Sequence, residues 1–209
     1  TINMQQGIES NHTLEKINKI EGTVFWIVDL FTFEASMISR LNQKLPGKDI
    51  IMILTKRDVL PSTLSDEKIL AFVQERLKEE GIQVKEILIC GYLLKHDEES
   101  TRNLSRIVTA IQKYRRGKDV IFMGVANAGK STILNRLMAS KDLTISRNPG
   151  TTLDLVPLVQ EDYTIYDSPG IENKHSILTI LQPKDLKTVI PVKPIRPLVS
   201  QIFEDQSYA

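Results

Sequence analysis

Between residues 124 and 131 the chain runs Gly124-Val-Ala-Asn-Ala-Gly129-Lys130-Ser131, a spacing of glycines, lysine and hydroxyl that suits the holding of a polyphosphate. Glycines let the backbone curl so that successive N–H groups, here those of Asn127, Ala128, Gly129, Lys130, Ser131 and Thr132, point at one anion. The N-terminus of a following helix adds positive potential. Lys130 would reach the β- and γ-phosphates, and the Ser131 hydroxyl would hold Mg²⁺. Such a loop needs a buried strand before it and a helix after it. Val120-Ile-Phe-Met123 is a short apolar run with β-branched residues at its start, and Ile133, Leu134 and Leu137 fall at helical spacing.

Other stretches carry groups that complete a nucleotide site. Asp167-Ser-Pro-Gly170 is D-x-x-G, in which the Asp167 carboxylate can hold Mg²⁺ and the Gly170 N–H can meet a γ-phosphate. Thr151-Thr152 follows Asn148-Pro149-Gly150, where a hydroxyl and a backbone carbonyl could complete the Mg²⁺ shell. Thr55-Lys56-Arg57-Asp58 fits [NT]-K-x-D. The Asp58 carboxylate can accept two hydrogen bonds from the N1–H and N2 amino group of guanine, with the Lys56 stem along the base plane. Adenine lacks that donor pair, and an unpaired buried carboxylate makes the wrong base costly. Cys90-Gly91 ends another strand, where a backbone N–H could meet guanine O6. Each of these has a plainer reading taken alone: Thr55–Asp58 as a polar turn, Cys90 as a core thiol, Asn127 as a residue tolerant of left-handed backbone.

The elements that must position these groups follow from hydrophobic patterning. Leu14, Ile17 and Ile20 make a weak helical stripe in residues 1–21, and Gly22–Asp29 is a nearly continuous apolar strand. Met37, Ile38, Leu41 and Leu45 predict a helix from Phe33 to Leu45, stopped by Pro46-Gly47. Asp49–Leu54 is a second buried strand, and Ser65-Asp66 caps a helix to about Glu80. A third strand spans Lys85–Cys90, and Asn103–Tyr114 is a helix. The helix after the phosphate loop ends near Ser140, Ser146–Thr152 is a loop, and Leu153–Val159 and Tyr163–Asp167 are strands about a turn at Glu161-Asp162. Strands alternating with helices predict an α/β fold with a mainly parallel sheet covered on both faces, one antiparallel member, and ligands at the strands' carboxyl ends.

A chain of 209 residues suits one α/β domain with a short appendage, here 1–171 as domain and 172–209 as a proline-spaced tail. The single cysteine excludes a disulfide framework and a cysteine-ligated zinc site. A net charge of +1 gives no global pull toward DNA or a membrane surface. No apolar run approaches a membrane span, so the cytosol is the expected compartment. Because the chain does not start with Met, it is expected to be a fragment of a longer protein.

The order of the motifs is unusual. In Ras-like GTPases the phosphate loop comes first and the base motif later; here Thr55–Asp58 and Cys90-Gly91 precede Gly124–Ser131. A sheet domain tolerates this, because joining the old termini and cutting one surface connection leaves the packing intact. Arg115–Asp119 would be the new joint. Together with Val28-Asp29-Leu-Phe-Thr-Phe33, Pro149-Gly-Thr-Thr-Leu-Asp154, Tyr166–Ile171 and Asp185-Leu-Lys187, this order resembles the circularly permuted GTPases, and most closely the YqeH branch of bacterial ribosome-biogenesis GTPases.

The resemblance implies a three-layer Ras-like P-loop fold, a switch that binds GTP or GDP with Mg²⁺ and hydrolyses GTP slowly, and a role in assembly of the small (30S) ribosomal subunit through the subunit or its RNA. It implies catalytic roles for Lys130, Asn127 and Thr152, with Asn127 helping to bind a K⁺ that neutralises charge developing in phosphoryl transfer. Ile171 stands where Ras-like enzymes orient water with Gln. Against the family pattern these 209 residues include neither its cysteine zinc module nor its carboxy-terminal domain, and they carry Thr55 where Asn is commoner and Cys90-Gly91 for Ser-Ala. An ATPase or nucleotide kinase, which Asp58 disfavours, and a nucleotide-sensing binding module with little hydrolysis are the competing readings.

Overall fold

Three apolar runs, β1 (Gly22–Asp29), β2 (Ile50–Thr55) and β4 (Asp119–Gly124), lie side by side and are buried almost end to end, as strands covered on both faces must be. The computed structural model describes residues 2–91, 97–139, 146–147 and 155–171. Outward from this centre the sheet continues through β3 (Glu86–Ile89) on one side and β7 (Thr164–Asp167), β6 (Val156–Val159) and β5 (Ser146–Arg147) on the other, in the order β3-β2-β1-β4-β7-β6-β5. Neighbours are parallel from β3 to β7, and β6 is antiparallel to both β7 and β5.

The period-two alternation of β1 divides the core into two layers. Val24, Trp26 and Val28 face Leu14 and Ile17 of α1 (Ile2–Lys19), Leu41 of α3 (Leu41–Lys44), and Ile69, Val73 and Leu77 of α4 (Asp66–Glu79). Phe25 and Ile27 face the other way, toward α5 (Glu98–Arg115) and α6 (Lys130–Ala139), and Phe25 stacks on Phe122 with ring centroids 5.4 Å apart. The expected three-layer α/β architecture is therefore present. No helix among the described residues is long and apolar enough to cross a membrane.

Three element expectations change. The stretch expected as one helix from Phe33 to Leu45 is two single turns, α2 (Phe33–Ser36) and α3, separated by an extended Met37 and a left-handed Arg40 at φ 56°. Its apolar residues are buried as their spacing predicts, but tertiary bonds override the helix. Ser36 accepts the Asp29 N–H at 3.3 Å, and Asn42 pairs with both backbone groups of Gln83 at 2.8 and 3.0 Å. Helix α5 starts before Asn103, because Asp97 caps it by accepting from the Ser100 N–H at 2.9 Å. Ser146–Arg147, expected in a loop, is the edge strand β5, where backbone pairing with β6 needs no apolar pattern. Thr152 and the rest of 148–154 lie outside the described residues, as does the tail from 172.

The permutation joint is a tight turn. Arg116 and Gly117 take φ values of 47° and 77°, and the Lys118 N–H donates to the Arg115 carbonyl at 2.8 Å. Arg115 pins this turn to the β6–β7 hairpin, pairing with Asp162 at 2.5 Å and lying over the Tyr163 ring at 4.5 Å.

Candidate functional site

Because five of the strands run parallel from β3 to β7, their carboxyl ends bring the predicted motifs to one edge of the sheet. The loop between β4 and α6 turns through two left-handed residues, Asn127 at φ 65° and Gly129 at φ 94°. Asparagine tolerates the first; the second favours glycine, and a Cβ there would meet the Thr55 side chain at 3.5 Å. Ser131 and Thr132 lie in the first turn of α6, with Ser131 exposed. The Lys130 ammonium, at the start of the helix, is ion-paired with the Asp167 carboxylate at the end of β7.

From Asp167 onward the chain follows the phosphate loop closely. The Ser168 N–H donates to the Phe122 carbonyl at 3.0 Å, and the Ile171 N–H donates to the Gly124 carbonyl at 2.9 Å. Between them Gly170 rests on Ala126, so the D-x-x-G turn and the phosphate loop share one wall. Ile171 is 4% exposed and packs into the core with the layer that holds Trp26 and Met123.

The turn after β2 sits next to the loop. Thr55 Oγ1 donates to the Ala128 carbonyl at 2.6 Å, tying the base motif to the phosphate loop. Lys56 has left-handed backbone at φ 61°, and its ammonium pairs with Asp29 at 2.6 Å. Arg57 is held by Asp66 at 2.6 Å and by the Leu64 carbonyl. Asp58, in a short 3₁₀ turn, makes no side-chain hydrogen bond among the described residues. It faces Gly91 so closely that a Cβ on Gly91 would come within 2.9 Å of the Asp58 nitrogen and 3.2 Å of its carboxylate.

Cys90 is buried, its N–H donates to the Leu54 carbonyl at 2.7 Å, and burial pushes its thiol up to about 11, with the Arg106 guanidinium pulling weakly the other way. Its amide is thus engaged in the sheet, and Gly91 is the member of that pair that borders Asp58. Asp29 is the residue whose part in the site sequence reasoning missed. It ends the apolar run of β1, and only the register of β1 on β2 sets it beside Thr55. Thr151 and Thr152 lie outside the described residues.

A phosphate loop that comes after the Thr-Lys-Arg-Asp turn in the chain, yet beside it in the sheet, is the arrangement of a circularly permuted P-loop GTPase. A family model described as 50S ribosome-binding GTPase matches residues 119–204. The chain is 32% identical over 200 residues to YqeH of Bacillus subtilis (strain 168), covering 93% of this chain and 53% of that protein. It is 25% identical over 210 residues to the NO-associated protein 1, chloroplastic/mitochondrial, of Arabidopsis thaliana, covering 92% of this chain and 36% of that one. Among solved structures, GNP-bound YlqF from T. maritima matches 79% of this chain and 59% of its own, with 21% identity and a TM-score of 0.46. The chain has the motif order of a circularly permuted GTPase, and its similarity to YqeH runs over nearly its whole length. It spans about half the length of the Bacillus relative and just over a third of the Arabidopsis one.

Proposed function

We propose that this chain binds a guanine nucleotide across the cleft between Gly124–Ser131 and Thr55–Asp58 and hydrolyses GTP to GDP as a slow switch in ribosome assembly. The observation that carries the reading is the 2.6 Å bond from the Thr55 hydroxyl to the Ala128 carbonyl, which sets the two loops side by side so that one ligand can span both. In this reading Asp58 takes the guanine N1–H and N2 amino group, with Gly91 leaving room beside it. The Asn127–Thr132 amides cradle the phosphates, and Lys130 leaves Asp167 for the β- and γ-phosphates. Ser131, Asp167 and Thr152 are the hard oxygen donors that Mg²⁺ takes, and the Lys130–Asp167 pair already sets opposite charges at the loop mouth where the ion and phosphates would meet. Bound Mg²⁺ would neutralise phosphate charge. Thr151 would sit beside Thr152, and the Gly170 N–H would meet the γ-phosphate.

The burial of Ile171 supports slow intrinsic turnover, since that position offers no polar group to orient water. Asn127 is the proposed K⁺ ligand. Residues 1–171 are proposed as the GTPase domain and 172–209 as a tail toward further chain, working in the cytosol. The partner is proposed as the small ribosomal subunit or its RNA, on the YqeH resemblance; the matching family model's description names the large subunit instead. One assay tests both levels: competition of GDP, GTP and ATP for the site, then GTP hydrolysis in K⁺ or Na⁺ with isolated small or large subunits. Equal affinity for ATP and GTP would sink the base assignment. Stimulation by large subunits alone would move the partner. A rate indifferent to the monovalent ion would leave Asn127 a backbone residue.

A further inference from the structure

We infer that Asp29 is a positioning residue for base recognition, acting through Lys56; the inference rests on the guanine reading above. Asp29 ends β1 in register with Thr55 of β2, so its side chain emerges next to the base-recognition turn. Its carboxylate is itself fixed. Oδ1 accepts the Phe31 N–H at 2.9 Å, Oδ2 accepts the Thr32 hydroxyl at 3.1 Å, and the Asp29 N–H donates to Ser36 at 3.3 Å. Onto this fixed acceptor the Lys56 ammonium docks at 2.6 Å, with the two side chains 3% and 21% exposed for Asp29 and Lys56 respectively.

The consequence lies in how Lys56 is held. Its backbone is left-handed at φ 61°, a conformation that disfavours a residue with a Cβ. This residue leads into the 3₁₀ turn in which Asp58 lies against Gly91. With the backbone fixed at one end and Nζ fixed on Asp29 at the other, the four-carbon stem cannot sweep through its rotamers. It becomes a fixed apolar ledge beside Asp58, of the kind a purine face rests on. Nor does stability alone account for the pair, because a buried ion pair gains little over an apolar pair of similar shape. Ordering the stem before the base arrives removes an entropy cost from binding. The neighbours complete the clamp: Thr55 on Ala128 and Arg57 on Asp66 hold the turn on either side.

The test is a double-mutant cycle on the whole chain, read by GDP and ADP affinity in calorimetry and by urea unfolding followed through Trp26, the single tryptophan. Asp29→Asn keeps an acceptor for Phe31 and removes the charge that holds Lys56. It should weaken GDP about tenfold, the loss expected for one charge-assisted contact. Lys56→Met should weaken GDP at least as much. The double variant should match Lys56→Met within about twofold, since nothing remains for Asp29 to position. If Asp29→Asn alone fails to fold, Lys56→Met against the double variant gives the same comparison with the Lys56 charge already removed. Selective GDP binding in wild type with undiminished affinity in Asp29→Asn overturns the inference and leaves the guanine reading intact. Losses that multiply in the double variant also overturn it, because Asp29 then acts on the fold rather than through Lys56. Equal GDP and ADP affinity in wild type overturns the guanine reading and this inference with it.

Discussion

The turn after β2 and the loop after β4 lie side by side, yet they are built by different means. In Thr55–Asp58 the side chains do the holding: Thr55 grips the Ala128 carbonyl, Lys56 grips Asp29 and Arg57 grips Asp66, leaving Asp58 as the acceptor turned toward Gly91. In Gly124–Ser131 the backbone does the holding, through left-handed Asn127 and Gly129 and the strand-like bonds that run Ser168 and Ile171 along Phe122 and Gly124. The first arrangement suits discrimination in the proposed site, since a carboxylate carried on a held turn rejects a base it cannot pair with. The second suits a charged ligand common to all nucleotides, which backbone N–H groups meet without regard to side chain. Base choice and phosphate grip should therefore separate under mutation.

The largest separation is expected at Asp58. Asp58→Asn should cost about 2–4 kcal/mol of GTP affinity by removing a bidentate charged contact, and shift preference toward xanthine nucleotides, whose base presents an acceptor at position 2. Competition calorimetry with GTP and XTP checks it; unchanged preference would mean that Asp58 does not face the base. Lys130→Ala should come next, costing about 2–3 kcal/mol for every nucleotide alike, because in the proposed site Lys130 meets the phosphates and not the base. A loss confined to guanine nucleotides would erase the division between the two loops. Thr55→Val probes the seam. It removes the donor from the Ala128 carbonyl and should cost about 1 kcal/mol in both stability and GDP affinity. Full affinity in that variant would show that the two loops keep their spacing without the bond.

The same division explains what could be foreseen from residue order. The sheet strands, the cap at Ser65 and the phosphate loop are written in local pattern: β-branched apolar runs, a Ser before a helical stripe, glycines at fixed spacing. Asp58 and Asp167 were legible for the same reason, since Asp167 ends a strand just before Ser-Pro-Gly and Asp58 closes Thr-Lys-Arg-Asp in the turn just past one. Three features were not. The Phe33–Leu45 stripe does bury its apolar side, but Ser36, Arg40 and Asn42 break the helix through bonds to Asp29 and Gln83 and one left-handed residue, which periodicity does not encode. Strand β5 arises from backbone pairing at an edge and carries no side-chain signature. Asp29 ends its strand too, but with no motif beside it a lone carboxylate there has no local meaning. Only the register of β1 on β2 puts it next to Lys56.

The smallest effect on nucleotide binding is expected at Cys90, where a different readout should change. Its side chain is buried among core residues and its amide is spent on Leu54, so Cys90→Ala should leave GDP affinity within about twofold of wild type. Its thiol, however, is linked to folding. Burial raises its pKa from 9.0 to about 11, so the folded state binds this proton more tightly than the unfolded chain does. The stabilisation is therefore fully present below pH 9 and is lost as pH rises through 11. A rise of that size corresponds to about 2–3 kcal/mol, an upper value since partial unfolding of the site would relieve the burial. Urea unfolding followed through Trp26 at intervals from pH 8 to pH 11 should show wild type losing more stability across that window than Cys90→Ala. The cavity left by alanine lowers the variant's curve at every pH without changing its slope, so the slope difference isolates the thiol. Parallel curves would mean that the thiolate reaches solvent in the folded protein. That would place the end of β3 outside the core and loosen the wall that holds Gly91 against Asp58.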